Sequence, residues 1–189
     1  MNTIIVEGGK DMGNRIYPIG IQNFEKIRKE GYVYVDKTAL MYKLVKSGSY
    51  FFLSRPRRFG KSLLISTLEA YFEAKRDLFE GLAVETLEKD WVKRPVLHLD
   101  LNIGKYDTPD SLDKILNETL DYWESLYGTR SAETTLALRF AGVVGRAYEQ
   151  SGERVAILID EYDKPLLQAI GNEELQREFR NTLKPFYGV

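Results

Sequence analysis

The sequence predicts an α/β fold with a mostly parallel sheet, and three observations support this class. First, three short and largely apolar runs occur at 50–53, 95–101 and 155–159. Such runs suit parallel strands that are buried on both faces. Second, segments with helical spacing separate the runs, and strands that alternate with helices favour parallel pairing. Third, 189 residues with 43% hydrophobic content are enough for one domain with a substantial core.

The composition narrows the class of protein. The net charge of -1 at pH 7 argues against a dedicated nucleic-acid-binding domain, which is usually strongly basic. Local basic patches still leave a nucleic-acid target open. The chain has no cysteine and one histidine, His98, which excludes disulfides, thiolate or histidine-rich metal sites and a cysteine nucleophile. We find no signal peptide and no apolar run of the ~20 residues that span a bilayer. We therefore expect a soluble, cytoplasmic protein without a membrane partner.

The segment before the first apolar run predicts short elements. Glycines interrupt 1–15, so we expect a flexible lead-in followed by one domain at 16–189. Asn23 can cap a first helix that ends near Gly31. The alternating residues that follow, 32–35, favour a strand.

Five further helices are predicted along the chain. Asp36 can cap the first of them, which Gly48 closes. Pro109 suits the first turn of a later helix, Ser131 can cap the next, and Pro185 would end or kink the last. In chain order the five are expected at about 37–46, directly after position 60, and at about 109–127, 131–150 and 173–187.

The apolar run at 50–53 leads into S-R-P-R-R-F-G-K-S-L, which has the features of a phosphate-binding loop. A strand–loop–helix junction can hold phosphates with main-chain N–H groups and the positive end of the helix. Gly60 lets the backbone come close to the ligand, Lys61 can reach the β- and γ-phosphates of a nucleotide, and Ser62 can offer its hydroxyl to Mg²⁺. The predicted nucleotide-binding residues are Arg57, Arg58, Phe59, Gly60, Lys61, Ser62 and Leu63.

Two properties of this loop leave alternatives open. The complete motif G-x-x-x-x-G-K-[ST] would have glycine where this chain has Arg55. The loop must therefore change direction without that glycine, and the fixed φ of Pro56 is a candidate for this role. The Gly-Lys-Ser triplet can also arise by chance, although the apolar run before it and the amphipathic helix after it favour a phosphate loop. The arginines suit a polyphosphate, or they form an ordinary solvated basic surface.

The run at 155–159 ends on two carboxylates, as expected of the second half of an ATP-hydrolysing site. Asp160 would bind Mg²⁺ directly or through water, beside Ser62. Glu161 would orient the attacking water or accept its proton, which favours hydrolysis over nucleotide storage. The alternative is a buried strand followed by a solvated acidic turn that Pro165 closes.

Together the two motifs predict a domain that binds Mg-ATP. The predicted catalytic residues are Glu161 and Lys61, and the predicted metal ligands are Ser62 and Asp160. A GTPase is disfavoured because the chain lacks an [NT]-K-x-D element, and a small-molecule kinase because no acceptor pocket is recognisable. Three hypotheses remain. The chain is an ATPase, or a nucleotide-dependent binding module for a partner or fused domain with little turnover by this chain alone. The third is an inert fragment that folds poorly and binds little nucleotide.

The chain resembles the AAA-ATPase-like proteins that are common in bacteria, especially in anaerobic gut bacteria. The resemblance covers roughly residues 16–187, and Arg55 in place of the first loop glycine is itself the family's pattern. The stretches that carry it are 18–20, 24–28, 34–38, 55–63 and 159–165.

This resemblance implies a three-layer P-loop NTPase fold of the additional-strand type. Lys61 and Ser62 would take the Walker A positions, and Asp160 and Glu161 the Walker B positions, with ATP and Mg²⁺ as cofactors. Larger members of the family often carry a C-terminal nuclease-like domain of the PD-(D/E)XK superfamily, so the resemblance makes such a domain or another protein a candidate partner. Hydrolysis can also require an arginine finger from a neighbouring subunit, which makes a homo-oligomer a second candidate assembly. The sequence leaves the oligomeric state open.

The resemblance further implies that the chain is truncated before a strand that bears a polar sensor residue. That strand would lie between the strands predicted at 50–53 and 155–159. Without it the two strands lose a neighbour, so we expect a gap, a substituted strand or an altered sheet order there.

Three smaller features carry open alternatives. His98 suits a half-buried structural position better than a catalytic one. Asp100 either lies near the nucleotide crevice or simply ends its strand. The stretch 34–38 either contacts adenine or a partner, or caps helices.

Overall fold

The computed structural model describes residues 16–54, 56 and 58–188. The predicted lead-in at 1–15 and the predicted site residue Arg57 lie outside the described residues, as does Arg55. Within the described part there are two strands and eight α-helices. Their bounds are α1 (Phe24–Lys29), α2 (Thr38–Ser47), α3 (Lys61–Phe72), α4 (Ala83–Leu87), β1 (Val96–Asp100), α5 (Ser111–Tyr127), α6 (Leu136–Ser151), β2 (Ala156–Asp160), α7 (Lys164–Gln168) and α8 (Glu173–Phe186), with 3₁₀ turns at Arg76–Phe79 and Leu101–Ile103.

The two strands pair in parallel, and β1 and β2 end at the same level. Val96 is opposite Ala156, and the register continues to Asp100 opposite Asp160. A parallel pair needs a long crossover, and here the connection is made by α5 and α6. The predicted α/β class and parallel pairing are therefore confirmed for these two strands.

Helices cover both faces of this two-stranded sheet. Successive side chains of a strand point to opposite faces, and the two hydrophobic clusters follow that alternation. Leu97 and Leu99 belong to a cluster with residues of α5, α6 and α8. Leu158 belongs to a second cluster with residues of α1, α2, α3 and α4. The described residues form only two of the strands that a complete three-layer P-loop fold would contain.

The predicted strand at 50–53 is wrong for this structure. The segment has no regular secondary structure, and its side chains are exposed, with Tyr50 at 96%. A parallel strand buried on both faces needs a neighbour for its hydrogen bonds. Among the described residues no strand pairs with this segment, so the run stays unpaired at the place where the sequence led us to expect a gap.

The predicted strand at 32–35 is also wrong. Val33 donates one backbone hydrogen bond to the carbonyl of Ile16 at 3.1 Å, but the segment forms no ladder. Tyr34 instead packs edge-on against Phe24, with ring centroids 5.1 Å apart. The alternation therefore reflects packing on α1, and not pairing in a sheet.

Several predicted helix ends are confirmed. The side chain of Asn23 accepts a hydrogen bond from the backbone of Lys26 at 2.7 Å, which caps α1. Gly48 closes α2. The last helix, α8, ends at Phe186, one residue after Pro185.

Two predicted helix starts are wrong because local turns precede the helices. Ser111 donates its hydroxyl to the carbonyl of Thr108 at 2.6 Å, so Pro109 lies in a turn before α5. Thr135 caps α6 in place of Ser131.

The late start of α6 follows from a buried ion pair. Glu133 accepts a hydrogen bond from Arg146 at 2.5 Å, so the connection runs along α6 before the helix begins. Gly142 makes this close approach possible, since a Cβ there would lie 2.0 Å from a Glu133 carboxylate oxygen.

Candidate functional site

Helix α3 begins where the predicted phosphate loop ends. Gly60 is its N-cap and has a φ of 74°, in the left-handed region that favours glycine. Gly60 has no side chain with which to cap the helix. The first N–H groups of an α-helix have no partner within the helix itself. Such N–H groups, with the positive end of the helix dipole, bind phosphates readily.

The loop reaches Gly60 through a second left-handed residue. Arg58 has a φ of 66°, which is uncommon for a residue with a Cβ. This turn follows Pro56 and does not use the glycine that the complete motif would have at its start. Arg58, Phe59 and Gly60 are exposed, whereas Lys61 is half-buried.

The first turn of α3 contains two further predicted site residues. Ser62 is half-buried, like Lys61 before it. Leu63 directs its side chain into the hydrophobic cluster beside β2. Leu63 can therefore contribute only its backbone to a ligand at the helix start.

Strand β2 ends in a buried carboxylate followed by a strained residue. Asp160 is 7% exposed, and its Oδ1 accepts a hydrogen bond from the backbone N–H of Glu161 at 2.9 Å. Glu161 has a φ of 51° and is not a glycine. Residues held in this region tend to occur at functional sites, where the surrounding structure imposes the conformation. The carbonyl of Glu161 accepts from the backbone N–H of Lys164 at 2.9 Å, which closes the turn.

The start of α3 and the end of β2 lie at the same edge of the sheet. The last residue of α3, Phe72, accepts a backbone hydrogen bond from Arg94 at 2.7 Å, just before β1 begins. Glu69, one turn earlier in α3, contacts His98 in the middle of β1. Helix α3 therefore runs antiparallel to the strands.

The lengths of these elements agree with that placement. The helix covers about 16 Å from Phe72 back to Lys61, at 1.5 Å per residue. The chain covers about 20 Å from Arg94 to Asp100, at roughly 3.3 Å per residue. Asp160 also belongs to the strand face that α3 covers, because it alternates in step with Leu158.

A second aspartate, Asp100, ends β1 directly beside Asp160 in the parallel register. Its Oδ1 accepts a hydrogen bond from the backbone N–H of Asn102 at 2.8 Å. Asn102 in turn accepts hydrogen bonds from the Lys164 ammonium through its backbone carbonyl and, at 3.2 Å, through its side-chain oxygen. Asp100 therefore ends its strand at the carboxyl edge of the sheet, a position that both alternatives from the sequence share.

His98 joins β1 to the phosphate-loop helix. Its Nδ1 lies 3.3 Å from a carboxylate oxygen of Glu69. The hydrogen bond to Glu69 raises the pKa of His98, and the same bond lowers the pKa of Glu69. His98 is half-buried, as the sequence predicted, and it connects two structural elements.

A magnesium ion fits these donors only together with a phosphate ligand. In the described part of the chain no three His, Asp or Glu side chains are grouped to hold a metal. Mg²⁺ is commonly bound through one or two protein groups, with phosphate oxygens and waters completing the shell. The hydroxyl of Ser62 and the carboxylate of Asp160 are suitable for such a shared site.

The stretch 34–38 caps helices. Asp36 accepts hydrogen bonds from the backbone N–H of Thr38 at 2.8 Å and of Ala83 at 2.7 Å, at the starts of α2 and α4. The Thr38 hydroxyl accepts from the backbone N–H of Val84 at 3.0 Å. Two helix starts are joined by two side chains, which supports the architectural alternative over an adenine contact.

The comparisons with known proteins identify the family of this chain. A family model described as a predicted AAA-ATPase matches residues 18–189. The chain belongs to the AAA-ATPase-like family. The family resemblance stated from the sequence is therefore confirmed.

One relative comes from Azotobacter chroococcum mcd 1 and is described as an uncharacterized protein in the vnfD 5′ region. It is 40% identical over 180 residues, which are 94% of this chain and 35% of the relative. The chain thus spans about a third of that protein. No solved structure matches the chain at a significant level. Among the described helices, none is both long and apolar enough to cross a membrane.

Sequence reasoning missed the contacts that hold the acidic turn. Lys164 and Asn102 are 62 positions apart, and neither belongs to a motif whose chemistry would pair them. Glu69 was likewise missed as the partner of His98. The only available signal was the position of Lys164 within D-E-Y-D-K-P, a stretch on which the resemblance to the AAA-ATPase-like family rests.

Proposed function

We propose that this chain is the Mg-ATP-binding module of an ATPase. The observation that carries the proposal is the shared edge: α3 begins at a left-handed glycine, and β2 ends at Asp160, followed by Glu161, on the same side of the sheet. An N-terminus of this kind favours a polyphosphate, and adjacent carboxylates favour a bound cation and an activated water. Family membership supports the same ligand.

Each residue has a distinct proposed role. The Lys61 ammonium neutralises and positions the β- and γ-phosphates, and backbone N–H groups after Gly60 hold them. Mg²⁺, when bound, neutralises charge on the phosphates, and the residues that would hold it are Ser62 and Asp160. Glu161 orients the attacking water and accepts its proton. Arg58 and Arg57 add positive charge to the loop.

A nucleotide-dependent binding module is the second candidate. The exposed, unpaired segment 50–53 favours it, because no strand holds the start of the phosphate loop in the described chain. Catalysis requires accurate placement of the water relative to the phosphate, whereas binding tolerates a looser loop. On this reading ATP controls an interaction with a further domain, such as a nuclease-like domain, with a second copy or with another protein.

Calorimetric titration with Mg-ATP, together with phosphate-release kinetics, tests the proposal. We expect Lys61→Ala to weaken nucleotide binding by about tenfold or more, because a phosphate contact is lost. We expect Glu161→Gln to keep binding and to lower turnover by about a hundredfold or more, since a positioned base is removed. Lys114→Ala is the matched control: Lys114 is an exposed cation paired with Asp110 at 2.5 Å, away from the motifs.

The outcomes separate the two candidates. Binding without turnover in the wild-type chain supports the binding module. An absence of both heat and a shift in melting temperature contradicts nucleotide binding altogether. Full activity of Glu161→Gln would contradict the role assigned to that carboxylate.

A further inference from the structure

The turn after β2 holds Glu161 in a conformation that this residue does not favour. Its φ of 51° lies in the left-handed region, where a Cβ is strained. Such a conformation persists only where neighbouring contacts impose it. The direction in which the Glu161 carboxylate points depends on these contacts.

Two short-range hydrogen bonds shape the turn but do not fix its position on the sheet. Asp160 Oδ1 accepts from the backbone N–H of Glu161, and the Glu161 carbonyl accepts from the backbone N–H of Lys164, both at 2.9 Å. Both bonds lie within the segment 160–164. They would move with the turn if the turn tilted away from β1.

A side-chain contact attaches the turn to the neighbouring strand. The Lys164 ammonium donates to the backbone carbonyl of Asn102 and to its side-chain oxygen. Asn102 is itself held, because its backbone N–H donates to Asp100 Oδ1 at 2.8 Å, and Asp100 is in register with Asp160. The contacts therefore form a closed path from the end of β1 to the end of β2.

A contact between aromatic rings gives the turn a weaker support. Tyr162 contacts the ring of Phe52 edge-on, with centroids 5.0 Å apart. Phe52 is 71% exposed and lies in the unpaired segment before the phosphate loop. This contact cannot anchor the turn, because its partner is not anchored to the sheet.

We propose that Lys164 is a positioning residue, which directs the Glu161 carboxylate toward the phosphate loop by tying the acidic turn to Asn102. The inference rests on the proposed function and adds a residue that neither motif assigns a role. Lys164 does not touch the nucleotide in this proposal. It acts only through the orientation of Glu161.

The test compares Lys164→Met with wild type in phosphate release, Mg-ATP titration and thermal unfolding. We expect kcat to fall by about 10- to 100-fold, because small displacements of a catalytic group have effects of this size. KM for ATP and the Kd of Mg-ATP should stay within about twofold, since the phosphate contacts remain. Lys164→Arg should recover most of kcat, because it keeps the charge and the donors.

Lys105→Met is the matched control. Lys105 also follows β1 and is an exposed lysine, but its ion pair is with the nearby Asp107 and not with the acidic turn. The Lys105→Met substitution should leave kcat, KM and the melting temperature unchanged. An equal loss of kcat in this variant would overturn the proposal, as would wild-type kcat in Lys164→Met or a parallel loss of binding and melting temperature.

Amide hydrogen exchange keeps this test separate from that of the proposed function. Lys164→Met should raise exchange at the backbone N–H groups of Glu161 and Lys164 while β2 stays protected. If the wild-type chain neither binds nor hydrolyses ATP, the proposed function fails. Hydrogen exchange alone then tests whether Lys164 ties the acidic turn to Asn102. Unchanged protection of the turn in Lys164→Met would then overturn the positioning role.

Discussion

Strand β2 and the segment 50–53 begin from nearly the same pattern, a short apolar run that leads into a charged loop. In the structure, β2 is a paired strand whose final aspartate is buried and whose turn is tied to β1. The segment 50–53 is unpaired and exposed, and only Phe52 makes a ring contact with the turn after β2.

The difference shows that an apolar run becomes a strand only where a partner accepts its backbone hydrogen bonds. Strand β2 has β1 beside it, and helices cover both faces of the pair. The segment 50–53 has no partner strand in the described chain, so neither its backbone nor its side chains can be buried without cost. The acidic half of the proposed site is consequently better held than the phosphate loop.

The largest expected effect is a difference in the free energy of unfolding between a substitution in β2 and one in the segment 50–53. Leu158→Ala should cost about 2–5 kcal/mol, because Leu158 is 7% exposed and fills the cluster between β2 and α3. Tyr50→Ala should cost about 0.5 kcal/mol or less, because that side chain is almost fully exposed. Urea unfolding followed by circular dichroism measures both. Comparable losses in the two variants would mean that 50–53 packs as a strand in solution, and the contrast would disappear.

Effects of intermediate size and opposite sign are expected at two left-handed positions of the proposed site, Gly60 and Glu161. Gly60→Ala should destabilise by about 1 kcal/mol through backbone strain alone, since a Cβ there meets no atom within 4 Å. Glu161→Gly should stabilise by up to about 1 kcal/mol while turnover is lost, because glycine relieves the strain. The measurement is the free energy of unfolding.

Gly145→Ala provides the control for this pair. Gly145 lies inside α6 with open space at its Cβ, so alanine should stabilise by about 0.5–1 kcal/mol. A stabilising effect of Gly60→Ala, like that of Gly145→Ala, would show that the loop is not held in the left-handed conformation.

The smallest effect concerns the pair that joins β1 to α3. The pKa of His98 is raised above 6.5 in the folded state, so its stabilisation is complete below that pH and is lost as pH rises through the folded value. The pKa of Glu69 is lowered below 4.5, so its stabilisation is present above 4.5 and is lost as pH falls through the folded value. The pair therefore stabilises the folded state most between pH 4.5 and pH 6.5. Both side chains are about a third exposed, which limits the effect to under about 1 kcal/mol.

Unfolding free energies at about pH 6 and about pH 8.5 check this dependence. The chain has one histidine, so the change in this interval reports mainly on His98. Wild type should lose stability toward the higher pH, and Glu69→Gln should show a flatter profile. An identical slope in Glu69→Gln would contradict the assigned pair.

Local signals predicted the elements whose cause is local. Asn23 caps α1 and Gly48 closes α2 because capping depends on neighbouring residues. Pro109 and Ser131 were misassigned because competing contacts decide there: a turn at Thr108, and the ion pair between Glu133 and Arg146. The composition of a segment does not reveal such competitors.

By itself, the sequence determined the α/β class, the two charged motifs and the family, because each depends on residue types at fixed short spacing. Tertiary structure alone decided which apolar run pairs, that Glu161 is held left-handed, and that Lys164 reaches Asn102 across 62 positions. The physical reason is that a backbone hydrogen-bond ladder and a side-chain tether each need a partner from a distant part of the chain. No local pattern specifies whether that partner is present.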